Sequence, residues 1–234
     1  MRQVQHSSIT WILLILLNTT TTTTNAFFGG NTPKSLTPPP SLLLNTNLDP
    51  AKPSVDLTCV YKASQDGWSA IDFHKCVDGR GSAFVVVSAK GKVFGGFNPL
   101  GWMSTDDYGS SNAAFLWYED KKGEGIKCPV LAGGNAAVFD YATGGPCFGS
   151  SDLQIGSPKA AVMGGFAGPD MMDTSINAGD LREGSSSPGI AYEVVGKSGW
   201  PVRGTFRIAE VEVYCNGNIV PSSGGGGTPS WWPF

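Results

Sequence analysis

The sequence predicts a mainly β protein, a two-layer antiparallel β-sandwich flanked by short helices. Three observations carry that prediction. Glycine and proline occupy 32 and 16 of the 234 positions. An interior Gly costs a helix about 1 kcal/mol and an interior Pro about 3, so long helices are excluded. Short β-branched or aromatic runs recur between Gly-rich turns, as in Ala83-Phe-Val-Val-Val-Ser88, which is how a sandwich strand reads. Charged residues are only 15% of the chain, against roughly 25% in an ordinary soluble domain. The net charge of −3 lacks the basic footprint of a nucleic-acid binder.

Residues 1–26 read as a secretory signal peptide. Arg2 opens it, Trp11-Ile-Leu-Leu-Ile-Leu-Leu17 is its apolar run, and Asn25-Ala26 offers a small-residue cleavage edge. The run falls short of the roughly 20 residues that span a bilayer. From Phe27 to Leu48 there is one lysine, no acid, and an abundance of Ser, Thr, Pro and Asn, which is transit-peptide chemistry. Residues 27–56 are therefore expected to be a transit-like segment and linker. A leader of this kind, with Phe27-Phe28 at the cut, resembles the bipartite presequence of algae with complex plastids. That resemblance implies a plastid location reached through the secretory route, with secretion or retention in the ER as the alternative. The five cysteines, Cys59, Cys76, Cys128, Cys147 and Cys215, are odd in number and form no CxxC pair. Free thiols are expected rather than a disulfide framework.

Order is expected from Leu57, and the folded domain to occupy residues 57–215. Asp66-Gly67 signals a turn, and Ser69-Ala-Ile-Asp72 matches a capping box. The following segment to Cys76 places Ala70, Phe73, Cys76 and Val77 on one helical face. Ala83–Ser88 and Val93–Phe97 form a hairpin around Ala89-Lys-Gly-Lys92, with Gly95-Gly96 marking a bulge or a close backbone approach. Ala113–Tyr118 is a strand closed by the charged turn Glu119–Glu124, and Ala136–Tyr141 is another. Leu153–Ile155 and Ala191–Val195 are shorter candidates, giving six or seven strands in all. In the last strand, Phe206–Tyr214, the apolar parity switches between Ile208 and Val211. A regular strand cannot bury both sets on one face, so a bulge is predicted near Ala209-Glu210. Residues 216–234 are a Gly-rich tether ending in Trp231-Trp-Pro-Phe234.

The order of these pieces resembles the TLDc domain, the module of the oxidation-resistance proteins. The similarity runs through Tyr61-Lys-Ala-Ser-Gln-Asp-Gly-Trp-Ser-Ala70, Phe73-His-Lys-Cys76 and Asp78-Gly-Arg-Gly81. It continues through Gly91–Phe97, Ala114-Phe-Leu116, Gly145-Pro-Cys-Phe-Gly149 and Asp152-Leu153. Met163-Gly-Gly-Phe166, Asp180–Ser187 and Phe206–Tyr214 complete it. The resemblance implies a two-sheet sandwich with flanking helices and a role in protection against oxidative damage. In several animal members it also implies binding to the vacuolar proton ATPase, a partner that a plastid stroma lacks. Gly168-Pro-Asp-Met-Met-Asp173 and Pro188-Gly189 depart from the family pattern.

No catalytic residue, metal ligand or cofactor site is assigned. His6 lies in the leader, so the mature chain holds one histidine, His74, expected as a structural or surface residue. Asp106-Asp107 and the acids Asp170, Asp173, Asp180 and Glu183 do not match a calcium loop and are expected to be solvated. Cys147, between glycines, is the redox candidate. Trp231, Trp232 and Phe234 are partner-docking candidates, for a protein or peripherally for a membrane. The leading reading is a non-catalytic, stress-protective interaction module with a protein partner. One alternative is a thiol-dependent peroxide-consuming enzyme using Cys147. The other is a carbohydrate-binding sandwich with Trp102 or Trp200 exposed as stacking platforms.

Overall fold

The computed structural model describes residues 36–43, 57–132, 136–157, 179–195 and 199–216. Residues 1–26, expected as a signal peptide, Met163–Phe166, Asp170, Asp173 and the aromatic end Trp231, Trp232 and Phe234 lie outside the described residues. Among those described, eleven strands pair antiparallel. They are β1 (Leu57–Lys62), β2 (Ala83–Ala89), β3 (Lys92–Asn98), β4 (Asp107–Gly109), β5 (Phe115–Glu119) and β6 (Gly125–Pro129), followed by β7 (Val138–Asp140), β8 (Cys147–Phe148), β9 (Leu153–Ile155), β10 (Glu183–Ser186) and β11 (Gly204–Asn216). The hydrogen-bonded order is β4-β7-β8-β9-β10-β11-β2-β3-β5-β6, with β1 also on β11. Three short helices accompany them: α1 (Pro40–Leu43), α2 (Ala63–Asp66) and α3 (Ala70–Val77).

The long strand β11 lets this ribbon curl into two layers. Its first four residues pair with β10, and the remainder with β2 and β1. The register shifts between Ile208 and Glu210, where the parity switch predicted a bulge. Phe206 and Ile208 before the shift, and Val211, Val213 and Cys215 after it, thus enter the same core. That core lies between the layers, with Val85, Val87 and Phe94 from one and Phe148, Leu153 and Ile155 from the other.

Local signals resolve as expected at the helix and the hairpins. Ser69 caps α3 with a reciprocal capping box to Asp72. The turn between β2 and β3 sits on Lys90 and Gly91, both in the left-handed region. Gly95 and Gly96 are a close-approach pair: the Trp117 indole lies against Gly95 on the outer face, and the Phe148 ring against Gly96 on the inner one.

Two expectations are corrected. Ala191–Val195 is not a strand, because the N–H groups of Ala191 and Tyr192 go to the Asp152 carboxylate and only Tyr192 keeps a bridge, to Val130. The strand count is higher than six or seven because five further strands form: β1 and β6, in segments not read as strands, and β4, β8 and β10, which are only two to four residues long.

The outer face of the first layer is apolar too. Phe84, Val86, Phe97, Phe115, Trp117 and Tyr214 form a second cluster, covered by Leu42 with Leu36 against its edge. Leu36–Leu43, within the stretch expected as transit-like segment and linker, therefore packs on the sheet.

Candidate functional site

Of the exposed large hydrophobic residues, Leu100, Met103 and Tyr108 come together to line one cleft of about 200 Å³. The loop joining β3 to β4 builds its wall. Asn98 closes a turn around Pro99, its Nδ2 donating to the Gly101 carbonyl at 2.8 Å and its Oδ1 accepting from Leu100 N–H at 2.9 Å. Gly101 has φ +79°, and an added Cβ would stand 2.5 Å from the Gly81 carbonyl oxygen, so only glycine fits. Trp102 then plunges into the core, edge-on to Phe73 and Phe148 at ring separations of 5.5 and 6.0 Å. With its neighbour buried, Met103 points outward and is 61% exposed.

A buried carboxylate holds the loop in this shape. Asp140, at the end of β7, accepts from the N–H groups of Met103, Ser104 and Thr105 at 3.0, 3.2 and 3.0 Å, and from the Thr105 hydroxyl at 2.9 Å. Ser104 and Asp106 sit at φ 55° and 52°, an uncommon conformation for residues with a Cβ, and these bonds hold it. Opposite, Gly109 leaves room for Leu100, whose Cδ1 would be 2.4 Å from an added Cβ. Asp107, exposed, gives the rim an acidic side.

A second tether runs beneath the loop. The Ser104 hydroxyl donates to Asp78 Oδ2 at 2.5 Å, and Asp78 Oδ1 pairs with His74 Nδ1 at 2.8 Å. His74 Nε2 donates to the carbonyls of Tyr141 and Gly144 at 2.7 and 2.9 Å. Both ring nitrogens thus face acceptors, which calls for the imidazolium. Burial alone would lower its pKa, but the Asp78 carboxylate and the two carbonyls outweigh burial and raise it above 6.5. A raised folded-state value means that the stability His74 adds is complete below its unfolded pKa and is lost as pH rises through the folded one. The melting temperature is therefore expected to fall as pH is raised from about 6.5, the ordinary histidine value, into the alkaline range. His74→Gln, which keeps an N–H donor but cannot titrate, should flatten that slope, as thermal unfolding monitored by circular dichroism across this range will show.

The other residues singled out from the sequence fall elsewhere. Cys147, on β8, is wholly buried, its thiol donates to the Gly149 carbonyl at 3.4 Å, and burial followed by the Asp152 charge pushes its pKa up to about 12. Burial favours its thiol form, whereas activated thiols sit in exposed, electropositive surroundings. All five cysteines are free, and Cys59 is the exposed one. Trp102 and Trp200 are buried. The expectation that either is an exposed stacking platform is corrected, since both rings are used by the aromatic core. Asp106 and Asp107 bond backbone N–H groups of Ala142 and Tyr108. Asp180 pairs with Arg182 and Glu183 with Arg207 at the surface. Among the described residues no group of three His, Cys, Asp or Glu is placed to share a metal ion. None of their helices is long and apolar enough to cross a membrane.

Residue-by-residue reading missed the loop-holding acids. Asp152 is fully buried, and one of its carboxylate oxygens, Oδ1, accepts from four consecutive backbone N–H groups, Gly189 to Tyr192, at 3.0–3.2 Å. Glu212, also fully buried, takes the Lys62 ammonium at 2.7 Å and the Tyr214 hydroxyl at 2.5 Å. One available signal for Glu212 was its setting, a single acid inside the apolar run Val211-Glu-Val213.

The TLDc domain family model matches residues 30–216, starting inside the segment expected as linker. No curated protein matches the chain. A family match over most of the sequence, together with the two-layer sandwich and the ordered pieces from Tyr61 to Tyr214, places the chain in the TLDc domain family.

Proposed function

We propose that this TLDc protein is a non-catalytic interaction module that contributes to protection against oxidative damage. The observation that carries the reading is the cleft of Leu100, Met103 and Tyr108: three large side chains about half exposed, on or beside a loop that two tethers keep in place. Exposed apolar residues gathered on a rigid support are what a protein interface needs. With Asp107 on the rim, the partner that fits presents an apolar side chain flanked by basic residues. The aromatic end Trp231, Trp232 and Phe234 is proposed as a second contact, to the same partner or peripherally to a membrane. The leader is proposed to deliver the chain to a plastid by the secretory route, and secretion or ER retention is the alternative.

The test is survival under hydrogen peroxide of cells that lack their own TLDc protein and depend on this chain. The triple substitution Leu100→Asp, Met103→Asp, Tyr108→Asp touches exposed positions and should leave the melting temperature within a few degrees. Protection should drop to the level of cells without the chain. Full protection by the triple variant would remove the cleft as the working surface.

A further inference from the structure

The cleft of Leu100, Met103 and Tyr108 has the size of a seat for one large side chain. Its volume is about 200 Å³, below the roughly 300–1,000 Å³ of pockets that hold a free small molecule. With Val138 these residues make walls that offer a thioether and a ring to an aromatic side chain. The rim carries Asp107, which accepts from Tyr108 N–H through one carboxylate oxygen at 2.8 Å. An indole suits this combination: its rings cover the apolar walls, and its N–H donates to a carboxylate without bringing a charge of its own.

The chain carries such a side chain itself, and the sheet register brings its attachment point to the same end of the fold. Beyond Asn216 the sequence runs through Gly224–Gly227 to Trp231-Trp-Pro-Phe234 with no charged side chain. Cys215, next to last in β11, stands opposite Ala83 of β2, and Ala83 stands opposite Asn98 of β3. Two strand spacings, about 10 Å, thus separate the end of β11 from Asn98, where the cleft loop departs. The loop then leans back toward the start of β2: the Trp102 carbonyl accepts from Gly79 N–H at 3.0 Å, and Gly101 packs on the Gly81 carbonyl. Fifteen positions lead from Asn216 to Trp231. A Gly- and Ser-rich stretch of that length has an r.m.s. end-to-end distance of about 20 Å. The cleft is within that reach, at an effective concentration on the order of millimolar.

We propose that in the absence of a partner the cleft holds the chain's own segment Trp231–Phe234, with an indole seated among Leu100, Met103 and Tyr108. The inference rests on the reading of the cleft as a binding surface. A partner then has to displace the segment, and the aromatic end is released for its second contact as the cleft fills.

The experiment uses the full chain with ¹³C-labelled methionine methyls, and a fluorescent peptide of residues 228–234. Trp231→Ser with Trp232→Ser should shift the Met103 methyl resonance, assigned by Met103→Leu, as the indole ring current is lost. The same variant should bind the peptide at least fivefold tighter than the unaltered chain, where the tethered segment competes. Adding Leu100→Asp, Met103→Asp and Tyr108→Asp should abolish that binding. An unmoved Met103 resonance, equal peptide binding by the two chains, or binding that survives the aspartates would overturn the proposal. A Met103 resonance that moves on dilution would seat the segment in a second copy and overturn it too. Neither readout involves a partner or peroxide, so failure here leaves the survival test standing. Conversely, a triple variant that protects fully while losing the peptide would remove the partner role and leave the segment's seat.

Discussion

Gly95→Ala is expected to yield no folded protein, and Gly96→Ala to cost about 3 kcal/mol, the upper part of the usual range for overpacking. The two glycines are adjacent in β3 but fail for different reasons. A Cβ on Gly95 would lie 1.9 Å from the carbonyl oxygen of Val85 on the neighbouring strand. Backbone cannot move aside there without parting β2 from β3. The same oxygen accepts the Trp117 indole N–H at 3.3 Å, so that bond is lost as well. A Cβ on Gly96 would meet three atoms of the Phe148 ring at 2.5–2.7 Å. Phe148 is fully buried and edge-on to both Trp102 and Tyr192, which leaves it nowhere to turn. For a domain of this size the Gly96→Ala loss corresponds to about 10 °C in melting temperature. Because that clash is with a side chain, Phe148→Leu should recover part of it, and a double-mutant cycle by thermal denaturation will read the coupling. Gly95→Ala should have no such rescue.

Asp152→Ala is expected to be nearly as damaging, at about 4 kcal/mol. The carboxylate is fully buried and gathers the N–H groups of Gly189, Ile190, Ala191 and Tyr192. Removing it leaves several donors facing apolar surroundings, and each unsatisfied buried donor costs about 1–3 kcal/mol before relaxation or water entry. Asp152→Asn should rescue little, since its amide brings two further donors into a ring of donors. Tyr192, whose hydroxyl donates to the Ala137 carbonyl at 2.5 Å, links the gathered segment to the strand next to the cleft. Chemical denaturation of the two variants measures the loss, and local amide exchange over residues 189–192 locates it.

What was legible in the sequence is what local physics determines. The capping box at Ser69, the Lys90-Gly91 turn, the glycine pair in β3 and the β11 bulge each depend on residues a few positions apart. The loop-holding groups could not be read the same way. Asp152 finds its donors 37–40 residues along the chain, Asp140 its own 35–37 residues back, and His74 its carbonyls 67 and 70 residues away. Only the fold brings them together. Cys147 stood out because a lone cysteine and a lone histidine could together make a thiol nucleophile, while its glycines read as a tight turn feeding a strand. The strand is there: Gly145 lies close under the Ile155 carbonyl and Leu181, and Cys147 is buried on β8. The low charge content has a structural counterpart as well, since β2 is apolar on both faces and the N-terminal segment covers the outer one.

Protection is expected to come from a binding surface and not from a reactive thiol. The most direct measurement compares Cys147→Ser with the Leu100, Met103 and Tyr108 triple variant, side by side, in the peroxide-survival assay. Cys147→Ser is expected to protect as well as the unaltered chain, while the triple variant does not. Loss of protection in a folded Cys147→Ser chain, with the triple variant fully protective, would contradict that claim.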